Sequence, residues 1–290
     1  MLLFDIVGFS LHTPFEQASQ LNSLSYSLNS AYNKLLARGI EINFARTTTG
    51  DGYYIWNRSL GSQANVDLFY FMMLVVADNA VARAASKGNT VPVIRTAYHI
   101  GGHYELYQAE GVNPTVFSYI VGDVTIELAR MVDLAAAEQI FVGDFTTTLG
   151  EGALAHETVS TPAFIAACNR GLTAVEGTQL SSKVMSAINC RLSEHHDENG
   201  SVSPRRFRIV DKHGLNHYAF NLQLALDLEG EQMNLGLDDS QLASLGSVRD
   251  EPLTDNPEVD GEERPAASAE ELFDDLASLL QKRQSRIVED

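Results

Sequence analysis

Leu2-Leu3-Phe4-Asp5-Ile6-Val7-Gly8-Phe9-Ser10 and, further on, Thr49-Gly50-Asp51-Gly52 are the two stretches on which the reading of this chain turns. The apolar run at residues 1–4 stops at Asp5, which predicts a short buried strand, and Val7-Gly8-Phe9-Ser10 predicts a turn after it. Gly50-Asp51-Gly52 sits between Ile42 and Phe44 on one side and Tyr53-Tyr54-Ile55-Trp56 on the other, so it predicts a hairpin. If the first strand lies beside that hairpin, the carboxylates of Asp5 and Asp51 point at one spot. A pair of carboxylates is what hard divalent cations prefer. Each acid alone also has a plainer use, Asp5 ending a strand and Asp51 supplying a turn.

Hydrophobic spacing extends the reading outward. Leu21, Leu24, Leu28, Tyr32, Leu35 and Leu36 recur at helical intervals, predicting a helix over 14–38 that Gly39 ends. A long apolar helix is predicted over 65–87, a strand over 91–100, a helix over 123–135 and a strand over 139–142. That order opens like the split βαβ of ferredoxin-like domains, so the expected fold is α+β: a βαββαβ core with a mixed sheet and helices on one face. Later, 163–167 and 184–188 read as helices, 195–203 as a polar loop, and 206–210 with 217–222 as a closing hairpin. The domain expected is 1–228. Residues 229–267 then read as an acidic flexible linker. Residues 268–290 read as a short helix with the stripe Leu272, Phe273, Leu276, Leu279 and Leu280, which Ser268 can cap.

Composition narrows the class. The chain has 290 residues, 44% hydrophobic and 20% charged, which is globular. Its net charge of −18 is concentrated at the end: residues 226–290 hold 18 acids and 5 bases, leaving 20 acids and 15 bases in 1–225. Such a chain repels nucleic-acid backbones but accepts a small phosphorylated substrate where metals carry the positive charge. There is no run of eighteen apolar residues and no secretory leader pattern, so no membrane contact and a cytoplasmic location are expected. Cys168 and Cys190 lack metal-ligand company and read as ordinary thiols. His99 reads as a packed strand residue, and His195-His196 as part of a solvated loop. A phosphohydrolase aspartate box would need a second acid where Val7 stands, and no phosphate-cradling Gly-x-x-x-x-Gly-Lys-Ser/Thr run occurs.

Phe4-Asp5-Ile6-Val7-Gly8-Phe9-Ser10 resembles the opening motif of class III nucleotide cyclases, and Thr49-Gly50-Asp51-Gly52 resembles their second metal motif. Arg95-Thr96-Ala97-Tyr98-His99-Ile100-Gly101-Gly102 resembles their following strand. The run Gly122-Asp123-Val124-Thr125-Ile126-Glu127-Leu128-Ala129-Arg130-Met131 resembles their arginine-bearing helix. Ala137-Glu138-Gln139-Ile140-Phe141-Val142 and Asp211-Lys212-His213-Gly214 resemble the later strand and Lys-Gly segment. The resemblance implies that Asp5 and Asp51, with the Ile6 carbonyl, hold two divalent ions, Mn²⁺ or Mg²⁺. It implies that the N–H groups of Gly8, Phe9 and Ser10, with Lys212, meet the triphosphate. Arg130 would stabilise charge on the transferring phosphoryl group, in a symmetric homodimer with shared sites. On plainer grounds Arg130 could pair with Asp133 or Glu127 along its own helix, and Lys212 could be a solvated turn residue.

The adenine-reading positions depart from the family: Thr47 stands where it has a lysine and Tyr119 where it has an acid. With Tyr53 and Arg46 nearby, this pattern resembles the pyrimidine cyclases of bacterial anti-phage signalling, with UTP expected ahead of CTP. Ile126 stands where the family has a ribose-orienting asparagine, so Thr125 or Asp123 would have to substitute. The alternatives are an adenylate cyclase and a catalytically degenerate cyclase fold that binds a nucleotide or a partner.

Overall fold

In the computed structural model, residues 1–109, 116–150, 158–196, 201–211, 214–245 and 249–251 are described. Strand β1 (Leu2–Ile6) is buried along its whole length. After a 3₁₀ turn at Phe9–Leu11, helix α1 (Pro14–Leu36) begins at a capping box. The Thr13 hydroxyl accepts from the Glu16 N–H, the Glu16 carboxylate accepts from the Thr13 N–H, and Pro14 opens the helix. Gly39 ends it with φ +74°, while the Gly39 and Ile40 N–H groups donate to the carbonyls of Leu36 and Leu35.

Next come β2 (Phe44–Thr48), β3 (Gly52–Asn57), α2 (Ser62–Ala85) and β4 (Ile94–Tyr98). β1 lies between β3 and β4, antiparallel to both, and β2 flanks β3. This is the expected α+β core with a ferredoxin-like strand order. A hairpin that the sequence did not suggest follows, β5 (Tyr104–Ala109) with β6 (Val116–Val121), and it stands apart from the main sheet. Helix α3 (Asp123–Leu134) leads to β7 (Ile140–Gly143), which pairs parallel to β4.

The rest extends the sheet. β8 (Thr146–Thr148) pairs with β9 (Thr158–Ser160) ahead of α4 (Thr161–Gly171). β10 (Thr178–Leu180), β11 (Lys183–Leu192), the small hairpin β12 (Glu194–His196) with β13 (Val202–Pro204), and β14 (Arg206–Val210) follow. β15 (Asn216–Leu228), β16 (Glu231–Leu235), α5 (Asp239–Leu245) and β17 (Arg249–Glu251) complete the described chain. Eleven of these strands form one sheet. Long β15 joins its halves: its first part pairs with β7 and β14, its second with β11 and β16.

The sheet carries two cores. Leu2, Phe4, Ile6, Ile55 and Tyr98 pack against α1 and α2. Met1, Leu3, Trp56 and Ala97 pack against α3 on the other face, over Val124, Leu128 and Met131. α2 is long and apolar enough to cross a membrane by length and composition alone, yet 72% of that stretch is buried inside the fold, as a core helix requires.

Three expectations change. Residues 184–188 belong to strand β11. A bulge between Met185 and Ala187 leaves Ser186 and Ala187 both exposed, which breaks the strand alternation and mimics helical spacing. Within 195–203, His195 and His196 are exposed in β12, paired with β13. The predicted linker does not begin at 229: β16 adds an edge to β15 and packs Met233 and Leu235 on the first core, and Leu237 and Leu242 are buried in the second. The acid-rich average of that segment masks these apolar residues. The helix expected at 268–290 lies outside the described residues.

Candidate functional site

Asp5 is the last residue but one of β1, and Gly52 opens β3 directly opposite it. A Cβ on Gly52 would sit 1.9 Å from the Phe4 carbonyl oxygen, so only glycine lets the hairpin come this close to β1. The approach is closed by a hydrogen bond from the Ile6 N–H to the Asp51 carbonyl, 2.9 Å. Asp51 is thereby pinned at the end of β1. Its carboxylate accepts from the Thr49 hydroxyl at 3.2 Å, and the Thr48 hydroxyl spans the same turn to the Gly52 carbonyl. The Asp51 turn thus lies at the end of β1, close enough for the Asp51 charge to bear on Asp5.

Asp5 faces α3 and is 8% exposed. Burial raises its pKa; the hydrogen bond and charge of Arg95 lower it, and the charges of Asp51 and Asp133 raise it again. Arg95 sits opposite Asp5 across the β1–β4 pair and donates Nε to its Oδ2 at 2.6 Å, with Nη1 on the Ala135 carbonyl at 3.2 Å. Arg95 stands in a motif of the resemblance that implies no role for it. The signal was a cation in the otherwise uncharged strand Val93-Ile94-Arg95-Thr96-Ala97, readable only once β1 and β4 are known to pair.

The residues after β1 form the expected turn. Gly8 takes φ +68°, a left-handed conformation suited to glycine, and the Gly8 carbonyl accepts from the Leu11 N–H at 2.9 Å. As the first residues of a 3₁₀ turn, Phe9 and Ser10 have no partner for their N–H groups within it. Ser10 is exposed, and Phe9 lies against the first core.

Arg130 lies on α3, the helix that covers the Asp5 face. Its guanidinium approaches Asp211 at 3.4 Å and Asp133 at 3.6 Å, so the plainer expectation holds for Asp133. Glu127 instead meets His217 at 2.9 Å, and His217 lies 3.7 Å from Asp211. Ile126 is half exposed, and the Thr125 hydroxyl turns back onto the Gly122 carbonyl at 2.6 Å. Lys212 lies outside the described residues.

The four residues expected to read the base do not share a face. Thr47 pairs with Tyr54, whose ring lies on the α3 side, where its hydroxyl donates to the Thr125 carbonyl at 3.2 Å. Arg46 and Tyr53 lie on the other side, against α1: the guanidinium stacks 5.8 Å from the Tyr53 ring centre and donates to Asn29 at 3.2 Å. Strand alternation forces this split, because Arg46 and Thr47 are consecutive in β2. Tyr119 is on β6, 48% exposed. The β5–β6 hairpin is tied to the end of β3, where Glu105 accepts from the Trp56 indole at 3.2 Å and from Arg58 Nε at 2.9 Å.

Among the described residues no group of three or more His, Cys, Asp or Glu could hold a metal. The oxygen set at the end of β1 is smaller: the Asp5 and Asp51 carboxylates and the main chain of Ile6. It still fits a hard divalent ion, since a buried carboxylate beside a second one is an arrangement that a cation relieves. Cys168 and Cys190 are buried and unbridged; burial raises both thiols, Cys190 to about 12, so neither serves as a nucleophile.

No family model matches the chain, and the search of curated proteins found no match. Solved structures similar to it include the adenylyl cyclase CyaB from P. aeruginosa, at 15% identity, covering 55% of this chain and 89% of that one, TM-score 0.37. The guanylate cyclase domain of RhGC from Catenaria anguillulae, in complex with GTP, is 10% identical, covering 76% and 93%, TM-score 0.41. The guanylyl cyclase Cya2 is 11% identical, covering 76% and 89%, TM-score 0.37.

Proposed function

We propose that this chain is a cytoplasmic nucleotide cyclase that converts a nucleoside triphosphate, UTP ahead of CTP, into its 3′,5′-cyclic monophosphate and pyrophosphate. The observation that supports the reading is the close approach of the Asp51 turn to the end of β1, allowed by Gly52 and closed by the Ile6–Asp51 main-chain hydrogen bond, with the Asp51 charge bearing on Asp5. Asp5, Asp51 and the Ile6 carbonyl would hold two divalent ions, Mn²⁺ or Mg²⁺. When bound, such ions lower the pKa of the attacking 3′-hydroxyl and neutralise the leaving pyrophosphate. The N–H groups of Gly8, Phe9 and Ser10, with Lys212, orient the triphosphate. Arg130 offers a planar cation to the charge that develops as the 3′-oxygen bonds to the α-phosphorus and the pyrophosphate oxygen departs. Thr47 and Tyr119 are assigned to the base; Arg46 and Tyr53 are not, because they face α1.

The working unit is a homodimer in which Arg130 serves the metal site of the other copy. Exposed apolar side chains on the β5–β6 hairpin and on α3 support a docking face there: Tyr107 is 63% exposed and Ile126 50%. In the setting the resemblance implies, the product is a second messenger of anti-phage defence.

The test is turnover of UTP, CTP, ATP and GTP with Mn²⁺ or Mg²⁺, with chromatographic identification of products. Product from ATP alone sinks the pyrimidine assignment and leaves the cyclase reading standing. Mixing Asp51→Ala with Arg130→Ala chains should restore activity, because a heterodimer regains one intact site; failure of that rescue rejects the shared site. A second reading, a degenerate fold that binds a nucleotide without turning it over, draws on the ion pairs that already occupy Asp5 and Arg130 and on Ile126. Binding with no metal-dependent product would establish it.

A further inference from the structure

Asp211 follows β14 and is tied to the residue that leads into β15. Its N–H donates to the Leu215 carbonyl and its Oδ1 accepts from the Leu215 N–H, each at 3.0 Å. The side chain is 2% exposed. Its other oxygen, Oδ2, faces Arg130 Nε at 3.4 Å and His217 Nε2 at 3.7 Å. Both nitrogens are buried, and neither has a closed hydrogen bond among the described residues. His217 is fixed from its far side, where Nδ1 meets Glu127 Oε1 at 2.9 Å. Helix α3 therefore reaches the Asp211 carboxylate twice, directly through Arg130 and, a turn earlier, through Glu127 and His217.

The two ends of the Arg130 guanidinium are held differently. Nη1 lies 3.6 Å from Asp133, whose side chain is 66% exposed; a pair in that setting is screened and yields to a stronger anion. Nε lies against a carboxylate shut off from water, where removing one charge of a pair is costly. A guanidinium anchored through Nε turns its two terminal nitrogens outward as the fork that matches a phosphate. A separation of 3.4 Å is longer than a closed charge-assisted bond, and hydrogen bonds in catalytic sites tighten when substrate binds.

We propose that Asp211 is a positioning residue: it holds Arg130 by Nε so that the Nη1–Nη2 edge faces the phosphoryl group in transfer, while Glu127 and His217 brace the carboxylate. The inference rests on the cyclase reading and adds to it a group that touches no substrate atom. It stands whether Arg130 serves its own copy or the partner copy, because Asp211 and Arg130 belong to one chain.

The experiment is a double-mutant cycle on the full chain. The rate is read from radiolabelled product, with Mn²⁺ and whichever of UTP, CTP, ATP and GTP the parent turns over fastest, so that the residual rate of Arg130→Ala is measured. Asp211→Asn keeps the size of the side chain and the acceptor for Leu215, and removes the charge. It should lower kcat by about tenfold or more with KM within about twofold, because a group acting through Arg130 bears on the transition state and not on ground-state binding. In an Arg130→Ala background the same substitution should change kcat by less than about twofold, since no guanidinium remains to be positioned. Asp211→Ser should repeat both results, and thermal melts identify which variants fold cooperatively. Losses that multiply in the double variant would show that Asp211 acts without Arg130, which overturns the proposal. A rise in KM in place of a fall in kcat overturns it by tracing the effect to the neighbouring Lys212. An unchanged kcat in folded Asp211→Asn overturns it, and so does the loss of cooperative melting in both variants, which makes Asp211 a folding residue. A parent chain that forms no product from any of the four triphosphates ends the cyclase reading and this inference together; the other outcomes end the inference alone.

Discussion

Between the sheet, α2 and α4, Phe69, Tyr98, Phe145 and Phe164 pack with ring centres 5.5 to 6.0 Å apart, three pairs edge to face, one tilted and Tyr98 stacked on Phe164. On the α3 side the sheet and the helix hold two sets of ion pairs, Asp5 with Arg95 across β1 and β4, and Arg130 of α3 with Asp133 and Asp211. Consecutive residues of β1 and β4 divide between these faces, so each strand serves as core on one side and as chemistry on the other. Rings packed at interior density resist any loss of volume. Charges held in partly enclosed pairs keep their places without filling space. Substitutions on the first face should therefore cost stability, and substitutions on the second should cost turnover.

The largest expected effect is on the charged face. Asp51→Ala should lower kcat by roughly a thousandfold, since it removes one of two carboxylates from the ion site, and leave the denaturation midpoint within about 0.5 kcal/mol of the parent. A large stability loss with normal specific activity would erase the distinction between the faces. On the other side, Phe69→Ala should cost ~3–5 kcal/mol in urea unfolding, because a fully buried ring leaves a cavity, while the surviving folded protein keeps its kcat.

His99 sharpens the comparison from the strand end. Its ring lies so close to Gly143 that a Cβ there would sit 2.0 Å from Nδ1, and burial holds its pKa down to about 4 from 6.5. Above pH 6.5 the imidazole is neutral in both the folded and unfolded chain and adds no pH dependence. Between 6.5 and 4 the unfolded chain takes a proton that the native site refuses, so stability falls as pH falls. At pH 5 the loss is ~2 kcal/mol, and His99→Phe should remove that part of the slope in denaturation series run from pH 7 to 5. An unchanged slope would show the ring to be hydrated.

The smallest effect is a shift of profile. Arg95→Gln removes the group that holds the Asp5 pKa down against burial, so the acidic limb of the pH–rate curve should move to higher pH. A limb that stays in place would separate Asp5 from the rate-controlling ionisation.

Much of this was legible locally. The strand that stops at Asp5, the Gly50-Asp51-Gly52 hairpin, the capped start of α1 and the run into α3 are each written in adjacent residues, because turn and cap chemistry act over a few positions. The β5–β6 hairpin was not legible: Tyr104, Leu106 and Tyr107 are all exposed, so the alternation that marks a half-buried strand is missing. The bulge in β11 hid a strand behind helical spacing, and acidic composition hid β16.

By itself the sequence determined the segments, their order, and the placing of carboxylates at the ends of two of them, since backbone preference and hydrophobic period are local properties. Only the tertiary structure decided which side chains share a face: that Arg95 grips Asp5, that Thr47 and Arg46 part company, and that Asp211 meets Arg130. Those facts depend on strand pairing and register between residues far apart in the chain, and a shift of one residue would send every side chain to the other side.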